Sequence, residues 1–83
     1  HVTYQIYFHV VFATKRRLPL LTQQIIAVIN GIVQELSVEM GFRAIATGGH
    51  EDHMHILLSL PPHMTLATVI KRIKGRTSRE NGN

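Results

Sequence analysis

His53-Met54-His55 sets two imidazoles one residue apart at the head of an apolar run that continues as Ile56-Leu57-Leu58-Ser59-Leu60. Side chains alternate faces along an extended chain, so His53 and His55 share one face and Met54, Ile56, Leu58 and Leu60 the other. The aliphatic row reads as core. The histidine row then lies on the second face of a sheet, where two imidazoles can share a divalent cation. The competing reading is a pair of surface histidines on a half-exposed strand. A cation held there can polarise a phosphodiester oxygen and stabilise the charge that develops during displacement. Imidazole suits zinc, manganese, nickel or cobalt, and a site mixed with oxygen ligands suits Mg²⁺ or Mn²⁺. Two ligands are too few; His9, Glu51 and His50 are the candidates for a third. Asp52 has the wrong parity for a ligand and reads as a turn residue, and His63 reads as exposed.

Phosphodiester cleavage also needs a nucleophile. The tyrosines are Tyr4, on the expected core row of the first strand, and Tyr7, on its open row. With no cysteine, disulfides, thiolate zinc sites and thiol nucleophiles are excluded, which fits a reducing cytoplasm. No Ser-His-Asp arrangement, phosphate-binding glycine loop or dinucleotide fingerprint is present. A net charge of +4 favours anionic partners, nucleic acid first. No apolar run approaches the ~18 residues of a membrane span and no signal-peptide pattern opens the chain, so no membrane partner is expected. The 83 residues allow one domain, residues 1–83. That is close to the roughly 70–80 residues below which one core leaves a thin stability margin, so a metal, a partner or dimerisation would help.

The elements that must position these groups follow from periodicity. Thr3 to Ala13 alternates, with Tyr4, Ile6, Phe8, Val10 and Phe12 on one row and Thr3, Gln5, Tyr7, His9 and Val11 on the other. That pattern predicts a strand with one face in a core. Thr14-Lys15-Arg16-Arg17-Leu18-Pro19 is a basic loop, suited to clamping phosphates at a strand end. Thr22 can cap a helix to Met40, ended by Gly41, with Ile25, Ile29, Ile32, Val33, Leu36 and Met40 as its core stripe. Glu35 and Glu39 lie on its exposed turns. Phe42 to Thr47 reads as a second strand and Gly48-Gly49 as a turn before the histidine strand, which Pro61-Pro62 stops. Thr65 caps a last helix from Leu66 to about Arg79, with Leu66, Val69, Ile70, Ile73 and Thr77 inward and Lys71, Arg72 and Arg79 outward, flanked by Lys74 and Arg76.

The order β-α-β-β-α, which one further strand would complete, predicts an α+β, ferredoxin-like β-α-β-β-α(-β) fold. The sheet is antiparallel or mixed, with both helices on one face and the first and third strands adjacent. Tyr7 and His9 would then meet His53, His55 and Ser59 on one open surface, with the two basic segments as its phosphate partners.

Three blocks carry a resemblance. Tyr7-Phe8-His9-Val10-Val11-Phe12-Ala13-Thr14-Lys15-Arg16-Arg17, Asp52-His53-Met54-His55-Ile56-Leu57-Leu58-Ser59-Leu60-Pro61-Pro62 and Ile70-Lys71-Arg72-Ile73-Lys74-Gly75-Arg76-Thr77-Ser78-Arg79 stand in order across nearly the whole chain. They are similar to the opening strand and basic loop, the His-hydrophobic-His strand and the basic helix of the small single-tyrosine HUH transposases of bacterial and archaeal insertion sequences. These belong to the HUH endonuclease superfamily and have the REP-associated tyrosine transposases as relatives. The resemblance implies a dimeric, cytoplasmic prokaryotic protein that binds single-stranded DNA, often as hairpins at the ends of a mobile element. It also implies cleavage and rejoining through a phosphotyrosine link, with His53 and His55 as ligands of Mg²⁺ or Mn²⁺. His9 matches a recurrent family position without a defined role. Lys15, Arg16, Arg17, Lys71, Arg72, Lys74, Arg76 and Arg79 are the DNA-contacting cations expected on this reading.

The departure from the family is at the C-terminal end. Its final strand, its nucleophile helix and the third ligand on that helix have no counterpart, and neither Tyr4 nor Tyr7 stands at the nucleophile's position. The sequence therefore reads as a C-terminally incomplete HUH domain, and the alternative is a truncated nucleic-acid-binding module without chemistry. A third reading is a self-associating fragment whose first strand seeks a partner edge.

Overall fold

The computed structural model describes residues 6–80, with the side chains of residues 79 and 80 left aside. The expected place of Tyr4 and the side chain of Arg79 therefore lie outside the described residues. Five main elements follow in order: β1 (Ile6–Ala13), α1 (Gln23–Met40), β2 (Arg43–Gly49), β3 (His53–Leu60) and α2 (Leu66–Glu80), with a 3₁₀ turn at Lys15–Arg17. The fold is α+β, with the expected element order.

Helix α1 begins and ends where its capping residues dictate. The Thr22 hydroxyl accepts from the Ile25 amide at 3.1 Å, satisfying one amide that the first turn leaves unpaired. Gly41 closes the helix at φ 88°, and its amide donates to Ser37 O at 3.0 Å; only glycine takes that conformation without strain. In α2 the Thr65 hydroxyl accepts from the Thr68 amide in the same way.

The sheet has the strand order β1-β3-β2, with β3 in the centre and antiparallel to both neighbours. On β3, Met54, Ile56, Leu58 and Leu60 are buried against Ile32, Val33 and Leu36 of α1 and Val69 and Ile73 of α2. Phe8, Val10 and Phe12 of β1 pack beside them. Both helices therefore cover one face of the sheet, and the period-two patterns of β1 and β3 have the predicted phase. Among the described residues there is no fourth strand, and no helix is long and apolar enough to cross a membrane.

Strand β2 departs from expectation. It runs through Gly48 and Gly49, and the turn is made by residues 50–52, closed by the His50 amide donating to His53 O at 2.8 Å. The glycines serve close packing within the strand. A Cβ on Gly49 would lie 3.2 Å from both His53 O and Ile26 Cδ1, and one on Gly48 would meet the ring of His55. The residues that look like a turn in sequence are a clearance in the sheet.

Candidate functional site

The sheet face away from the helices carries the odd-numbered row of β1 and β3. Register sets Ala13 opposite His53, Val11 opposite His55 and Tyr7 opposite Ser59. His9, on β1, meets His55 edge-on, with ring centroids 5.5 Å apart at 86°. The His53 and His55 rings lie 6.2 Å apart at 29°, and His50, from the turn, lies 4.9 Å from His53. Four of the chain's six histidines therefore gather on one open surface. Tyr7 joins this face and is 55% exposed. Ser59, expected on the same open surface, is only 6% exposed, enclosed between Tyr7 and Arg43 at the same register on the flanking strands.

Each histidine of the pair is oriented by a different neighbour. Asp52 Oδ1 lies 2.9 Å from His53 Nδ1, and Asp52 Oδ2 accepts from Arg17 Nε at 3.1 Å. The hydrogen bond with His53, and then that from Arg17, hold the Asp52 carboxyl below its ordinary pKa, so it is ionised at neutral pH. Among the described residues no carboxylate bonds to His55. That histidine lies over Gly48, where a Cβ would fall 3.0 Å from Cε1 and 3.2 Å from Nε2 of the ring. Gly48 leaves the space that the imidazole fills.

Two imidazoles on one row, one with its Nδ1 engaged and its Nε2 left over, suit a divalent cation that takes its remaining ligands elsewhere. Glu51 is exposed, and among the described residues no group of three His, Asp or Glu side chains is placed to hold a metal ion. None of the three candidates for a third ligand completes a set.

The two basic segments part company in space. The turn Lys15–Arg17 follows β1 directly and is fastened to the start of β3, with the Thr14 amide donating to Asp52 O and the Leu21 amide to Glu51 O, both at 2.9 Å. It therefore adjoins the histidine face. Arg16 and Arg17 both have left-handed backbone conformations, at φ 58° and 55°. For non-glycine residues such conformations cost about 1–3 kcal/mol each unless surroundings enforce them. The cations of α2 lie on the other side of the sheet, because the stripe of that helix packs on the aliphatic face. Lys71 and Arg72, both exposed, line with Thr68, Gly75 and Arg76 a groove of about 390 Å³. Arg76 is clamped by Glu39 of α1 through two bonds, at 3.0 and 3.2 Å, with Glu35 at 3.7 Å. Lys74 instead lines an apolar cavity of about 240 Å³ with Phe12, Leu21, Ile29, Met54 and Ile73. Thr77 closes the same cavity, its hydroxyl buried without a hydrogen-bond partner among the described residues.

Sequence reasoning placed Asp52 in the turn ahead of the strand, where it lies, but did not anticipate its carboxylate bonds with His53 and Arg17. The adjacency of Asp52 to His53 was the available signal. It also passed over Glu39, whose partner lies 37 positions away.

The family model for IS200-like transposases matches residues 2–82. Among curated relatives, the ISDra2 transposase TnpA of Deinococcus radiodurans is 26% identical over 92% of this chain and 54% of its own length. The transposase for insertion sequence element IS200 of Salmonella typhimurium is 27% identical over 94% of this chain and 51% of its own. The chain thus spans about half the length of the curated relatives it matches. A solved transposase chain from Deinococcus radiodurans has the same fold, with a TM-score of 0.84 at 24% identity over 95% of this chain and 61% of that one. A REP-associated tyrosine transposase solved with a REP hairpin gives 0.71 at 23% identity, over 100% of this chain and 53% of that one. With the match running through β1, the histidine strand and the basic helix, the chain belongs to the IS200-like transposase family.

Proposed function

We propose that this chain supplies the metal-ligand strand and the DNA-contacting surface of a transposase that cleaves and rejoins single-stranded DNA through a phosphotyrosine link. The observation that carries this reading is the pair His53 and His55 on the open face, with Asp52 on one ring and the basic turn beside it. His53 and His55 would hold Mg²⁺ or Mn²⁺, which when bound polarises a phosphodiester oxygen. Lys15 and Arg16 draw the strand's phosphates toward the histidine face. Lys71 and Arg72, behind the sheet, contact a different stretch of the same DNA, and a hairpin like that bound by the structural relative offers both a stem and a single strand. The nucleophile is assigned to neither Tyr4 nor Tyr7. Homodimerisation and a prokaryotic cytoplasmic setting belong to the same proposal.

The second reading, a nucleic-acid-binding module without chemistry, is favoured by one observation: no three-ligand set stands among the described residues. Calorimetric titration with Mn²⁺ separates the two. The transposase reading expects one Mn²⁺ per chain, lost when His53 and His55 are both replaced by Ala, while binding of a single-stranded oligonucleotide without metal persists. Mn²⁺ binding that is unchanged in the double variant removes the histidine assignment.

A further inference from the structure

Arg17, Asp52 and His53 form a continuous chain of side-chain hydrogen bonds from the basic turn to the histidine pair. The backbone beneath it is pinned independently, since Asp52 O accepts from the Thr14 amide at 2.9 Å and from the Thr14 hydroxyl at 3.2 Å. The Asp52 carboxylate therefore extends from a fixed point. Its two oxygens are divided, one to Arg17 and one to His53. An ionised carboxylate can only accept hydrogen bonds, and a neutral imidazole carries its proton on one nitrogen alone. With the carboxylate at Nδ1, the proton sits on Nδ1 and the lone pair stays on Nε2.

We infer that Asp52, steadied by Arg17, is a positioning residue that fixes the tautomer and ring orientation of His53 so that Nε2 is the nitrogen left for ligation. Arg17 then acts on the site through Asp52, while Lys15 and Arg16, which make no side-chain bond among the described residues, remain for phosphate. Asp52 takes only Nε of Arg17, so a phosphate on the terminal nitrogens would share the guanidinium with the carboxylate. The basic turn and the ligand strand are thereby one mechanical unit. The neighbouring ligand His55 has no such partner among the described residues, so the two histidines should respond differently to the same substitution.

The part of this inference that concerns ligation rests on the metal reading above; the part that concerns the tautomer does not. Long-range ¹H–¹⁵N spectra of the metal-free chain report the protonated nitrogen of each histidine, and calorimetry with Mn²⁺ reports affinity. The parent chain should show His53 protonated on Nδ1. Asp52→Ala should move His53 toward the Nε2-protonated form, leave His55 unchanged, and weaken Mn²⁺ binding by about 10–100-fold, the usual loss when a ligand's outer hydrogen-bond partner is removed. Asp52→Asn, which keeps an acceptor oxygen, should recover part of both effects, and Arg17→Ala should give a smaller loss of the same kind. Because the backbone bonds from Thr14 survive these changes, far-UV circular dichroism should stay at the parent's signal. If His53 has the same tautomer in the parent and in Asp52→Ala, the inference is overturned. Unchanged Mn²⁺ affinity in a chain that binds Mn²⁺ overturns it equally. A parent chain that takes no Mn²⁺ but whose His53 tautomer follows Asp52 upholds the positioning role and removes the metal reading.

Discussion

On one face of β3, Met54, Ile56, Leu58 and Leu60 are at most 2% exposed and sit against both helices; on the other, His53 and His55 are half-buried and no described element covers them. The aliphatic row is held by burial, which is non-directional and tolerates small changes in side-chain angle. The histidine row gains nothing from mere placement, since a ring that points the wrong nitrogen outward is not a ligand. It depends on single neighbours instead, Asp52 for His53 and Gly48 for His55. One strand therefore carries two kinds of determinant, a redundant one and one that rests on individual atoms.

Substitutions on the two rows should dissociate stability from binding. Ile56→Ala, at a fully buried position, should lower unfolding free energy in urea by about 2–5 kcal/mol. His55→Ala should stay within about 0.5 kcal/mol of the parent in the same measurement and yet abolish Mn²⁺ binding. Equal stability losses on both rows would break the contrast.

Gly48→Ala tests the claim that a void orients His55. The added Cβ would stand 3.0 Å from the ring, tighter than nearly all such contacts, and the ring is the part that would give by a few tenths of an ångström. The fold should persist while Mn²⁺ affinity drops by about tenfold, because a ligand displaced by a fraction of an ångström no longer meets the cation well. An undiminished affinity would make Gly48 only a strand residue.

The two basic segments extend the comparison to the two sides of the sheet. For a short single strand, replacing Lys15 and Arg16 with Ala should flatten the slope of log affinity against log salt by about 1.4, at roughly 0.7 per phosphate contact. Replacing Lys71 and Arg72 should leave that slope unchanged. With a hairpin whose duplex stem reaches behind the sheet, the Lys71 and Arg72 double variant should flatten it by about 1.8. Fluorescence anisotropy at several salt concentrations measures all of these. If the Lys71 and Arg72 variant acts fully on the short strand, the interface is one continuous surface.

The smallest effect belongs to Glu39. Hydrogen bonds from Arg76 hold its carboxyl below the ordinary glutamate value. A lowered folded-state pKa contributes stability that is present above the unfolded value, about 4.3, and is lost as pH falls through the folded one. Glu39→Gln should therefore flatten the fall in denaturation midpoint below about pH 4 and change little at pH 7. An identical acid limb in both proteins would show that the clamp on Arg76 is energetically idle.

Much of this was legible without coordinates. The alternation in β1 and β3 and the 3.6-residue stripes of both helices follow from local geometry, so the α+β layering and the common face of His9, His53 and His55 could be read directly. Caps at Thr22 and Gly41 were equally plain, because capping is a property of neighbouring residues. The Gly48-Gly49 pair misled for a physical reason. Glycine permits a turn and also permits close approach, and only the position of His55 and Ile26 across the sheet distinguishes the two uses. Arg17 and Arg76 looked like free cations, since nothing local announces Asp52, 35 positions away, or Glu39, 37 positions away.

By itself, the sequence determined which residues alternate, which stripe each helix buries and which motifs tie the chain to its family, because these depend on contacts within a few residues. Tertiary structure decided which cations are already paired and which basic segment adjoins the histidines. Those outcomes turn on strand register and helix docking, which bring residues distant in the chain to within hydrogen-bond reach.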